Sequence, residues 1–258
     1  MSPTPITKRR GREPQHPVDL LRTRFWFHVV KARSGLATAY AVELAFDPEF
    51  VTRSADGVNR PSKWKGYENG DHVPQRMAGK KYAVDVAEAH LPGTAWYFDS
   101  PLWRVLKGEK LTAIETGRYL RSFKDPIAAV LLTQAPRTGE TDWRLGDFDE
   151  ASALELAQIA SFDALTAVVL LIARSEAIAS PHLRDLAFQS YISMQPLLQD
   201  CPDLGPFLKE IIWEIDANCK QWIFPTTQSR LEIVIFSQEV DAFLARQADG
   251  LDTGDSQA

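Results

Sequence analysis

The chain has 258 residues, 45% of them hydrophobic and 24% charged, with a formal net charge of −5, proportions that suit one large or two modest globular domains. Its longest apolar run, Ala164 to Ala173, is about half of what a bilayer requires, and no apolar stretch follows the N-terminal basic residues as a secretory signal demands. Cys201 and Cys219 are the only cysteines, without a CxxC or a histidine at zinc-ligand spacing, so free thiols in a cytoplasmic, bacterial-style protein are expected rather than a disulfide or metal site.

The charge is unevenly spread. Residues 1–82 carry 15 Lys+Arg against 8 Asp+Glu, a formal +7, whereas residues 83–258 carry a formal −12. Such asymmetry is the mark of a polyanion-facing part joined to a part with another task.

In chain order, residues 1–17 are rich in Pro, Ser, Thr and charge and predict a disordered basic arm. From Val18 the apolar residues Leu20, Leu21, Phe25, Trp26, Val29 and Val30 recur at helical spacing, and Gly35 suits the left-handed C-cap. Thr38 to Phe46 predicts a second helix, stopped by Asp47-Pro48. Asp47–Asn59 is a polar excursion containing the turn signal Asp56-Gly57.

Pro61 suits the first turn of a helix over Ser62–Glu68 that ends at Asn69-Gly70. A helix over Met77–His90 is expected next, stopped by Pro92-Gly93. Trp96–Leu106 concentrates aromatic area around a Ser100-Pro101 helix start, a hub between the two parts of the chain. Helical periodicity then covers 110–123, 125–134, 148–159, 161–179, 181–199, 205–223 and 227–247. Ser180-Pro181 and Gly205-Pro206 read as N-cap and N1 pairs, and Asp147 or Asp149 as the cap of the helix after the acidic loop. Leu231–Phe236 is β-branched enough for a strand, although its flanks favour helix.

One segment carries a family likeness. Trp64-x-x-Tyr67-Glu68-x-Gly70-x-x-x-Pro74, set between two helical stretches, resembles the end of the major-groove helix and the following turn in the Cro/repressor-type (XRE-like) helix-turn-helix family. The likeness covers residues 20–92. Asp47–Asn59 stands where that family has a turn of a few residues. The resemblance implies a DNA-binding function, with Ser62 and Lys63 touching bases or phosphates and Lys65 touching phosphate. Arg60 and Arg76 would grip the backbone from either side, and Lys8, Arg9, Arg10 and Arg12 would form a basic arm.

No GxxxxGK[ST], GxSxG, HExxH or GxGxxG occurs, and the histidines His16, His28, His72, His90 and His182 are scattered. The carboxylates Glu140, Asp142, Asp147, Asp149 and Glu150 lack the framework of a metal-dependent nuclease. Glu210, Glu214 and Asp216 form the wet face of a helix whose dry face is Phe207, Leu208, Ile211, Ile212 and Ile215. Trp143, Trp213 and Trp222 read as core or interface residues. A catalytic, metal or cofactor site is therefore not expected.

The expected architecture is all-α. A helix-turn-helix-like bundle over 18–107 packs on a larger acidic helical domain over 108–248, and a disordered tail covers 249–258. Two functions fit. One is a DNA-binding regulatory protein that oligomerises, or meets a protein partner, through its C-terminal domain. The other is a non-catalytic helical adaptor or accessory subunit of a phage-defence or mobile-element system.

Overall fold

The computed structural model describes residues 15–223 apart from 51, 55–56, 60–62, 77, 79–80 and 135–142. Of the arm expected over 1–17, residues 1–14 lie outside the described residues, as do the helix or strand after residue 223 and the C-terminal tail, while His16 and Pro17 open the first helix. Within them the fold is all-α, as expected, with two short antiparallel hairpins added. No described helix is long and apolar enough to cross a membrane.

The first helix, α1 (Pro17–Ser34), starts one residue earlier than expected because Pro17 occupies its first turn, where a missing N–H costs nothing. Gly35 closes it in the left-handed conformation, at φ 67°. Thr38 caps α2 (Ala39–Phe46) by accepting from the Ala41 N–H. A 3-10 turn (Pro48–Phe50) and a hairpin of β1 (Thr52–Ser54) with β2 (Gly57–Asn59) then lead to α3 (Lys63–Asn69). The polar excursion is thus a folded insertion, and α2 and α3 still pack on each other and on α1.

The helix expected over 77–90 is shorter. Residues 73–76 are irregular, and α4 covers only Ala83–His90. Tyr82 sits in extended geometry at its start, its ring edge-on to Phe98 and under the Arg76 guanidinium. Those contacts hold the chain extended at Tyr82, just before α4 begins. α5 (Ala95–Asp99) and α6 (Leu102–Leu106) form the aromatic hub, with Ser100 Oγ accepting from the Leu102 N–H.

A capping box of Thr112 and Glu115 starts α7 (Ala113–Arg121). The stretch 125–134 is not one helix. α8 (Ile127–Leu131) gives way to β3 (Leu132–Gln134), which pairs with β4 (Trp143–Leu145) in the register Leu132–Leu145. Leu132 is buried, and the Gly146 N–H bonds back to the Leu131 carbonyl. Tertiary pairing overrides the helical pattern there.

Asp149, of the two candidates, caps α9 (Glu150–Ile159). Then come α10 (Phe162–Ala177), α11 (Pro181–Leu198, with Ser180 as cap), a 3-10 turn (Gly205–Phe207) and α12 (Leu208–Ile223). Every residue from Ala164 to Ala173 is buried, so α10 is the central rod, with α6, α7, α9, α11 and α12 against it.

One buried apolar cluster runs from Val18 on α1 to Ile215 on α12 without a break near residue 107. Phe162 of α10 ties it together, its ring centroid 5.0 Å from Phe25, 5.2 Å from Tyr97 and 6.1 Å from Trp103.

Candidate functional site

α3 meets the core through Trp64 and Tyr67, three residues apart and therefore on one face. Trp64 is enclosed by Trp26, Phe27 and Phe46, and Tyr67 meets Trp26 edge-on. Gly66 is also buried: the His72 ring lies over it, and an added Cβ would fall 2.2 Å from His72 Nε2. The glycine inside this helix is thus a close approach of two chain segments.

The start of α3 is pinned from beneath. Asp47, fully buried at the end of α2, accepts on Oδ2 from both Lys63 Nζ and Trp64 Nε1, each at 2.8 Å. Its Oδ1 is buried without a hydrogen-bond partner, and so is Oε1 of Glu43, four residues earlier and 1% exposed. Burial, then the neighbouring Asp47 carboxylate, pushes the Glu43 pKa up to about 7, against the opposing pull of Lys63. Burial and the Asp47 carboxylate also push the Tyr67 phenol up to about 12.

The outer side of α3 is laced with ion pairs. Glu68 accepts from Lys31 of α1 on one oxygen and from Lys65 on the other, each at 2.7 Å, and these two bonds lower its pKa. Lys65 itself is 60% exposed. Arg76 lies against α4, in a fork with Asp85 at 2.9 and 3.2 Å. It borders an open cavity of about 540 Å³ with Phe46, Lys81, Tyr82 and His90, where His90 stacks on Phe46 at 4.5 Å.

Of the residues expected to touch DNA, the fold therefore brings Lys63 and Lys65 together on α3 and sets Arg76 against α4. Lys8, Arg9, Arg10, Arg12, Arg60 and Ser62 lie outside the described residues. The described cations of the basic third are engaged internally, some with the acidic part of the chain. Arg24 pairs with Glu210, and Arg33 pairs with Asp203, which also accepts from the Tyr97 hydroxyl. Part of the charge asymmetry thus serves to join the two ends of the chain.

Other features escaped the sequence. Trp143 and Trp213, expected as core or interface residues, are not core, being 46% and 71% exposed, and Asp216, expected on the wet face, is half-buried and accepts from the Tyr191 hydroxyl. Of the cations without an ion pair among the described residues, four surround α7: Lys110, Arg118, Arg121 and Lys124, all exposed. A signal existed, since residues 104–124 hold six Lys+Arg against two Asp+Glu. Averaging over the acidic remainder hid it.

The chain matched no protein-family model, no curated protein and no solved structure.

Proposed function

We propose that the protein is a non-catalytic, cytoplasmic DNA-binding regulatory protein that presents α3 to the phosphate backbone and oligomerises through its C-terminal helices. The reading is supported by one observation above the others. α3 has its aromatic face sunk between α1 and α2 and is clamped to α1 through Glu68, so that Lys65 stands outward on a rigid support.

Magnitudes decide which cations remain available. Exposed pairs such as Lys65–Glu68 and Arg76–Asp85 are worth about 0.2–1 kcal/mol, so a phosphate can replace the carboxylate. Removing Lys63 from Asp47 would strand a buried charge at a cost of about 3–5 kcal/mol. Lys63 is therefore assigned to the fold and Lys65 and Arg76 to phosphate, with the basic arm adding charge without sequence information.

A salt titration of the full chain against a labelled duplex of random sequence tests this reading. Binding should weaken steeply between about 50 and 200 mM salt, and Lys65→Ala should lower the slope by about one. Absence of association at about 50 mM salt would reject it. The adaptor reading would then stand, favoured by the same pairing of Lys63 with Asp47 and Arg76 with Asp85, which leaves a nearly neutral surface for a protein partner.

A further inference from the structure

Among the described residues, unpaired positive charge gathers around α7, and at one point it converges. Arg174 reaches from α10 across to α7, where its Nη1 donates to the Ala113 carbonyl at 2.7 Å. Arg121 folds back along α7 toward the same place. An ideal Cβ on Gly117 would lie 3.2 Å from Nη1 of Arg174 and 3.3 Å from Nη1 of Arg121. Two guanidinium groups thus meet over a glycine that leaves room for both.

Neither group forms an ion pair among the described residues. Arg174 also lines an open cavity of about 450 Å³ shared with Asp147, Asp149 and His182, yet neither carboxylate pairs with it. Two like charges this close repel, and burial together with Arg121 lowers the pKa of Arg174. Nearby, Glu115 is occupied by Arg104 and by the Thr112 capping box. The exposed Lys110, Arg118 and Lys124 add positive charge on the same helix and its flanks.

We propose that Arg121 and Arg174, meeting over Gly117, form a binding site for a phosphoryl group. The chemistry follows from the two planar forks. Each guanidinium can offer a pair of parallel N–H donors, and a phosphate dianion has three terminal oxygens to accept from both while cancelling their repulsion. Gly117 has no side chain to occupy the space between them. The basic surroundings raise the local concentration of anions. The phosphoryl group can belong to a small phosphorylated molecule or to a nucleic-acid backbone. The site is independent of α3, so it stands or falls separately from DNA binding there.

The test is thermal denaturation and calorimetric titration of the full chain with inorganic phosphate, against sodium chloride at matched ionic strength. Phosphate at up to about 10 mM should raise the Tm by a few degrees where chloride does not. Arg121→Gln, a change at an exposed position, should weaken phosphate binding at least about tenfold. The same change should raise the Tm of the phosphate-free protein, because it removes the repulsion. That opposed pair of effects is not expected of an arginine with a purely structural role. If a duplex displaces bound phosphate from the wild-type chain, the source is a backbone phosphate; if it does not, the source is a small phosphorylated molecule. A Tm that responds equally to phosphate and chloride, or an Arg121→Gln protein that binds phosphate as well as the parent, would overturn the proposal.

Discussion

Glu43 and Asp47 lie four residues apart at the end of α2, both buried, and each has one oxygen without a hydrogen-bond partner. A single proton answers both deficits, since protonated Glu43 can donate to the Asp47 oxygen on the same helix face. The sign of the resulting pH dependence follows. The Glu43 pKa in the fold, about 7, is above the ordinary value of 4.5, so the folded state holds the proton more tightly than the unfolded chain does. The stabilisation is complete below about pH 4.5 and is lost as pH rises to about 7. Glu43→Gln imitates the protonated acid at every pH. Urea denaturation should find it about 2–3 kcal/mol more stable than the parent at pH 8, with the gap closing toward pH 5. A gap independent of pH would mean that Glu43 is already ionised in the fold. The spacing Glu43-x-x-x-Asp47 is visible in the sequence, but burial of both carboxylates depends on α3 and α1 closing over them.

At the scale of elements, α3 makes a local rule and a tertiary contact disagree. A glycine inside a helix costs roughly 1 kcal/mol relative to alanine, yet the His72 ring occupies the space a Cβ at Gly66 would need. Gly66→Ala alone should therefore bring no stabilisation, since it forces the imidazole off the helix and away from Tyr67. In a His72→Ala background the same change should stabilise by about 1 kcal/mol, and the difference between the two backgrounds measures the contact. Chemical denaturation of the four proteins in this cycle reads it directly. Equal effects in both backgrounds would show that His72 is not what keeps a glycine at this position. The elements that the sequence specified correctly are those with local punctuation: Gly35 at a positive φ, Ser180-Pro181 opening α11, and the apolar run of α10. The failures at 81–82 and 132–134 have distant causes, the packing of Tyr82 on Phe98 and the pairing of Leu132 with Leu145. The same division holds at the site. The aromatic face of α3 was readable from Trp64 and Tyr67, whereas the capture of Lys63 by Asp47 required the folded insertion between α2 and α3.

At the scale of the whole molecule, the contrast between a basic beginning and an acidic remainder suggests two domains, but the packing joins them. Phe25 from α1, Tyr97 from α5 and Trp103 from α6 converge on Phe162 at the start of α10. Beside this cluster Trp96 Nε1 donates to Asp163 at 2.5 Å, and the Tyr97 hydroxyl donates to Asp203. Part of the aromatic surface before position 107 is therefore buried against residues after 160. A chain held this way should unfold as one unit, because the two parts share one continuous buried cluster. Phe162→Ala tests the point. Truncating a buried phenylalanine costs about 3–5 kcal/mol, and the loss should reach both ends of the chain. Tryptophan fluorescence, weighted toward Trp26, Trp64, Trp96 and Trp103, and far-ultraviolet circular dichroism, to which the helices α7 to α12 contribute more than α1 to α6, should shift to the same lower midpoint. If the fluorescence transition stayed in place while the dichroism transition moved, the N-terminal helices would hold a core independent of α10. Coincident transitions would instead show that a contact at either end is transmitted to the other through this one buried ring.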